Sequence, residues 1–420
     1  MPIHRRLQSR AVALVVAALL AIPAGPAMAK SAEGSLKPGL GLLSNVYDNL
    51  SGGRRTGLTG LWNLYGSLRY HGGSGVVAHH LSAFAQVLMS GGGFPSTYTG
   101  DVQGTSNIEA PHLTRLYEAW VQYNGWHSRW SVLLGRYDLN SEFDRLQTAS
   151  LFLDSSFGVE PAFSQSGGAG PSIFPRPRFG LRIAFKPVPG VVWRSAVLQG
   201  AVPLDTSLPP DAQRARLGDA LFITELALLA RDPVDAPKAD DPADDMIGRQ
   251  ARLSPYTAKL AFGAWHYTRR EACLAPGSAA RACAANGAYL LLDDQLFGHI
   301  GAAGRQLAAF AQFSVASGAA DRFNRYVGAG LSLTPLFGGG SGDTLGLAVA
   351  TAWNGRPYLR AQHALSQPVA ADERIYELTY QRSIGAHLSL QPDLQYVIHP
   401  DTRSDVPDAL ALQFEVQLSY

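Results

Sequence analysis

Charge is scarce in this 420-residue chain: Asp, Glu, Lys and Arg together supply 16% of it, where soluble domains carry about 25%. Long apolar runs are missing as well. The stretch Ala11–Ile22, about 12 residues, is too short for the ~20 that a membrane-crossing helix needs. No second run reaches that length, so a membrane role has to come through strands. Cysteine is nearly absent. Cys273 and Cys283 flank a segment rich in Gly, Pro and Ala, and two thiolates without a histidine cluster cannot make a four-ligand metal site. In an oxidising compartment they are expected to form one local disulfide that pins a loop. Catalytic patterns are lacking too: there is no Gly-x-Ser-x-Gly elbow with ordered partners and no phosphate-cradling Gly-Lys-Thr loop. The paired carboxylates Asp293 and Asp294 are adjacent, so a strand would send them to opposite faces. Neither an enzyme nor a cofactor is expected.

What is present begins with a secretory signal. His4, Arg5, Arg6 and Arg10 precede the apolar stretch, and Ala27-Met28-Ala29 follows it as a small-x-small cleavage site. Cleavage is expected after Ala29, which leaves residues 30–420 as one domain. Removing Arg5, Arg6 and Arg10 from the 35 basic residues leaves 32, against 33 acidic ones. A chain this close to neutral lacks the basic face of a nucleic-acid binder. Glycine is plentiful, at 44 residues, which suits a fold with many turns.

The main signal is alternation. Leu410, Leu412, Phe414, Val416, Leu418 and Tyr420 are apolar, while Ala411, Gln413, Glu415, Gln417 and Ser419 between them are small or polar. Successive strand residues point to opposite faces, so one face is greasy and the other wet. The rhythm recurs at Leu58, Trp62, Leu64, Leu68 and Tyr70, at Phe179, Leu181, Ile183 and Phe185, and at Leu388, Leu390, Leu394, Tyr396 and Ile398. Sixteen strands are expected, near 39–50, 58–70, 76–89, 113–123, 128–137, 178–187, 191–201, 219–230, 254–269, 287–295, 305–316, 325–335, 343–353, 373–382, 386–398 and 409–420. Many such segments, little charge on the apolar face and aromatics near segment ends describe a closed, antiparallel, all-β transmembrane barrel of about 16 strands.

Connection lengths test this. Outer-membrane barrels have short periplasmic turns and long outer loops. With the N-terminus inside, 71–75, 124–127, 187–190 and 383–385 are short and periplasmic, while 90–112, 138–177, 270–286 and 354–372 are long and external. The acidic stretch 231–253, with Asp240, Asp241, Asp244 and Asp245, is long yet falls on the periplasmic side, so the strand assignment is open to a slip there. Its spacing matches no calcium-loop pattern and reads as a solvated loop.

Several segments resemble the carbohydrate-selective porins of the OprB type. They are Arg115-Leu116-Tyr117-Glu118-Ala119-Trp120, the run Leu134 to Asp144 continued by Phe152 to Gly158, Phe262-Gly263-Ala264-Trp265, Asp343-Thr344-Leu345-Gly346-Leu347 and, most specific, Leu390 to Pro400. These segments occur in order along residues 45–420. The chain departs from the family pattern at its start and in the acidic stretch near 240. The resemblance implies a sixteen-stranded outer-membrane barrel that admits sugars by diffusion.

If the apolar set faces outer-membrane lipid, the opposite set faces the lumen. That set includes Glu118, Gln122, Arg182, Lys186, Arg194, Glu225, Gln391, Asp393 and Gln395. Their carboxylates, amides and guanidinium forks can replace the hydration of a mono- or small oligosaccharide in passage. Residues 138–177 lack strand periodicity and are expected to fold inward and narrow the channel, with Arg136, Asp144 and Arg145 as candidate eyelet charges. Pro392, mid-strand on the lipid face, cannot donate to the ladder and implies a kink or a bulge. Two other readings stay open. Arg182, Lys186 and Arg194 would suit anions or small organic acids, although Glu118, Glu225 and Asp393 offset them; a secreted soluble β-protein acting on polysaccharide is the reading from another class. Nothing in the sequence marks an association face, so monomer and homo-oligomer are equally open.

Overall fold

Sixteen antiparallel strands, each hydrogen-bonded to its neighbours in chain order, close on themselves when the last pairs with the first. The structure, a computed structural model, describes residues 35–72, 80–125, 128–200, 219–230, 256–278, 280–298, 305–337 and 342–420. The expected signal peptide with its cleavage after Ala29, and the acidic stretch 231–253, lie outside the described residues. The strands are β1 (Ser35–Ser51), β2 (Gly57–His71), β3 (Leu81–Gly92), β4 (Leu113–Gly125), β5 (Trp130–Tyr137), β6 (Arg178–Phe185), β7 (Val191–Gln199) and β8 (Ala220–Ala230). They continue with β9 (Ala258–Ala272), β10 (Ala282–Phe297), β11 (Gln306–Ala316), β12 (Phe323–Thr334), β13 (Asp343–Asn354), β14 (Asp372–Ile384), β15 (Leu388–Ile398) and β16 (Ala409–Ser419).

Period-two patterning explains the closure. In β16, Ala409, Ala411, Gln413 and Glu415 are buried while Leu412, Phe414 and Leu418 are exposed on the outer face. The seam pairs Leu42 with Leu418 and Val46 with Phe414, so the outward apolar set continues across it. A one-residue slip would turn every such side chain to the wrong face. Asp293 is buried inward and Asp294 faces out, as adjacency requires.

The connections sort by end. Those at 126–129, 186–190 and 385–387 are short and lie at the end where β1 begins and β16 finishes, the terminus end. Those at 93–112, 138–177 and 355–371 lie at the opposite end, where the last includes a helix, Arg356–Ala364. The acidic connection involves no slip of assignment. β8 and β9 pair directly, with Leu226 opposite Phe262, so a long connection does leave the terminus end. Cys283 belongs to β10 rather than to the loop, because β10 runs back to pair Cys283 with Glu271; the disulfide to Cys273 forms across a Cα separation of 5.2 Å. Pro392 makes no bulge. β15 pairs with β14 in one unbroken register on either side of it, Thr379 opposite Asp393 and Arg382 opposite Leu390, and Pro392 itself faces Phe414 of β16.

The barrel is not hollow throughout. Phe152 and Phe157 of the 138–177 loop pack on Phe310 of β11, with centroids 5.6 and 5.8 Å apart. Phe163 lies 4.5 Å from the Trp265 ring of β9. An apolar core thus forms inside the cylinder, between its wall and this loop.

Candidate functional site

The wall holds the inward loop by its main chain. Backbone N–H groups taken out of water need acceptors, and here the acceptors are carboxylates projecting inward from strands. Asp144 N–H donates to Glu225 of β8 at 3.0 Å, Thr148 N–H to Asp293 of β10 at 3.0 Å, and Leu153 and Asp154 N–H to Glu377 of β14 at 2.5 and 3.0 Å. Carbonyls are held as well. Gln391 Nε2 donates to Leu151 O at 2.7 Å, Gln312 Nε2 to Phe157 O at 3.1 Å, Tyr326 OH to Ser156 O at 3.0 Å and Lys259 Nζ to Arg145 O at 2.8 Å. Gly346 of β13 admits the loop: a Cβ there would meet Leu151 Cδ2 at 2.6 Å and Phe152 at 2.9 Å.

The 93–112 loop also folds inward, which the sequence reading did not foresee. Its Val102 and Gln103 N–H groups donate to Glu373 at 3.0–3.1 Å, and its Thr105 carbonyl accepts from Gln395 at 3.0 Å and from Gln413 at 2.6 Å. The two loops join through Asn107 N–H to Leu153 O at 2.9 Å and Ser155 N–H to Gly104 O at 2.7 Å.

Most of the expected lumen residues do point inward, but they meet the loops and one another. Gln122, Arg182, Arg194 and Glu225 share one buried chain of contacts. Arg182 donates to Gln122 at 2.6 Å and to Glu142 at 2.7 Å; Arg194 approaches Glu142 at 3.8 Å and Glu225 at 3.7 Å. Lys259 adds a third cation, 3.4 Å from Glu225. Glu118 accepts the Asp138 N–H at 2.5 Å. Gln391 and Gln395 hold loop carbonyls, and Asp393 is buried beside Gln413 at 3.5 Å.

Three placements correct the eyelet and lining assignments. Arg136 faces outward: Ser131, Leu133 and Tyr137 of β5 are buried inward, which leaves Arg136 in phase with the exposed Leu134. Asp144 is fully buried between loop and wall and does not face an opening. Lys186 falls just past β6, in the turn at the terminus end, where its N–H donates to Arg129 O at 2.7 Å. Arg145, by contrast, borders a cavity of about 220 Å³.

That cavity has two kinds of wall. Tyr65, Tyr117 and Phe174 form an aromatic row, with centroid steps of 6.3 and 6.2 Å. Asp138, Asn140, Arg145, Asp154 and Asn107 supply donors and acceptors. Asp138 is fixed by the Tyr117 hydroxyl and by Phe174 N–H, the latter at 3.1 Å. Burial pushes the carboxyls of Asp144 and Glu160 up; the neighbouring Glu160 raises Asp144 further, whereas the hydrogen bond from Asp144 partly offsets the rise at Glu160. Asp321, which accepts Gly167 N–H at 3.1 Å, is pushed up to about 7, again chiefly by burial. Among the described residues no group of three or more His, Cys, Asp or Glu side chains could hold a metal ion.

The sequence reading missed Glu373, Glu377 and Gln312 as loop holders. The signal for the two glutamates was present: the inward phase of β14 runs Glu373, Ile375, Glu377, Thr379 and Gln381, so the same alternation would have found them, while Gln312 lies in the inward phase of β11.

A profile of the family described as carbohydrate-selective porin, OprB family, matches residues 78–420. No curated protein sequence matches the chain. Among solved structures, the high-pH structure of Pseudomonas putida OprB has a TM-score of 0.73 at 16% identity, over 92% of this chain and 94% of that one. The outer membrane channel DcaP of Acinetobacter baumannii has a TM-score of 0.53 at 11% identity, over 94% and 100%. At these identities the structures show a common fold.

Proposed function

This chain belongs to the carbohydrate-selective porin family of the OprB type, an outer-membrane barrel for passive diffusion of sugars, and on that premise we propose how its interior selects them. The sugar enters at the loop-bearing end and is narrowed onto the cavity beside Arg145. Its hydroxyls exchange water for the carboxylates of Asp138 and Asp154 and for the Arg145 guanidinium, while its C–H faces slide over Tyr65 and Phe174. The observation that supports this reading is the pairing of an aromatic row with hydrogen-bonding groups around one opening.

Sugar preference over anions follows from charge pairing. An anion pore needs uncompensated cations along its path, whereas Arg182 and Arg194 are matched by Glu142 and Glu225. Solute flux into vesicles carrying the purified protein tests the assignment, comparing glucose, a disaccharide, an amino acid and an organic anion. Glucose is expected to outpace solutes of equal size; equal rates would remove the preference and leave a general pore. The outward apolar face contacts outer-membrane lipid in this reading. Residues 1–29 act as a cleaved export signal, which mass spectrometry of the mature protein checks by finding Lys30 at its N-terminus.

A further inference from the structure

Arg182 and Arg194 inside the barrel meet carboxylates, but several arginines at the outer rim do not. Arg325 of β12 is exposed on the outward face, two residues from the loop end of its strand, and lies 5.7 Å over the ring of Trp353, its outward neighbour on β13. Three residues beyond Trp353 begins the helix Arg356–Ala364, where Arg356 and Arg360 are exposed and one turn apart. Among the described residues none of these three guanidiniums is paired with a carboxylate. The neighbouring acids are committed elsewhere: Asp372 to Arg374 at 3.0 Å, Asp401 to Arg322 at 3.0 Å and to Arg54 at 2.9 Å, and Asp321 to the inward loop.

The same strands fix what this rim touches. Toward the terminus end, the outward positions of β12 and β13 become Leu331, Val349 and Leu347, all exposed apolar side chains, which is the band that a barrel presents to hydrocarbon. Trp353, level with the loop end of β14, occupies the place of an interfacial girdle. The Arg325 guanidinium therefore stands at headgroup depth, with the two helix arginines following Trp353 closely in the chain; phosphate oxygens there accept forked hydrogen bonds and supply the missing charge. We propose that the rim formed by Arg325, Trp353, Arg356 and Arg360 binds the phosphate of an anionic lipid in the leaflet at the loop end of the barrel.

The test uses the full mature chain in nanodiscs of equal parts phosphatidylglycerol and phosphatidylcholine, with the retained lipid counted by native mass spectrometry. The wild type is expected to retain phosphatidylglycerol several-fold over phosphatidylcholine, less so at high salt because the attraction is screened. R325Q/R356Q/R360Q should bring the ratio near one with glucose flux unchanged. R325K/R356K/R360K, which keeps the charge, should retain most of it. If the triple variant does not insert, R356Q/R360Q, confined to the helix, should lower the ratio in the same direction. R305Q, at the opposite rim, should leave it unaltered. An even ratio in the wild type, or an undiminished one in the glutamine variants, would overturn the proposal.

Discussion

Single side chains decide whether the loops stay inside the barrel. Glu377 accepts two loop N–H groups at once, from Leu153 and Asp154. Glu377→Ala leaves both buried and unpaired, and each buried donor left unsatisfied costs about 1–3 kcal/mol. Hydrogen exchange at 151–155 should accelerate by at least tenfold, and channel recordings should become noisier; unaltered exchange would show that other contacts hold the loop. Glu377→Gln keeps one acceptor and should fall between. Arg182 is a different case, since its partners Glu142 and Gln122 are themselves buried. Arg182→Ala strands them, and removing one partner of a buried pair costs about 3–5 kcal/mol, which denaturant unfolding of the refolded barrel should register. Arg145 borders the opening, so Arg145→Ala should change glucose half-saturation while barely altering the unfolding midpoint.

At the scale of elements, the 138–177 loop, besides connecting β5 to β6, packs inside the barrel against its wall. Removing part of it should raise single-channel conductance, and a conductance equal to that of the wild type would exclude it from the constriction. Its attachment depends on pH through Asp321. Burial raises this carboxyl from 3.8 to about 7, so the folded state favours the neutral form. The resulting stabilisation is full below the unfolded value of 3.8 and is lost as pH rises through about 7. Asp144 and Glu160 shift in the same direction for the same reason. Protection of the segment around Gly167, corrected for intrinsic exchange, should therefore fall between pH 4 and pH 8, and Asp321→Asn should flatten that profile. Strand positions were legible in the sequence because each carries its own alternation. In β5 the alternation outweighs the neighbouring loop motif: the phase that Arg136 shares with Leu134 sends it to the outer face and away from the eyelet.

For the molecule as a whole, the sequence determined a closed barrel. Sixteen segments with one greasy and one wet face, joined mostly by short turns at one end, have few ways to bury their edges other than by closing on themselves. The order of strands, their count and the inward set of most polar residues followed from local pattern, and the family resemblance agreed with them. Only the tertiary structure decided what the inward set does. Glu377 lies 224 residues from Leu153, and Glu225 lies 81 from Asp144. No local rhythm relates such partners. They meet because closure brings distant strands around a common interior, where loop amides removed from water must find acceptors on whichever wall they reach.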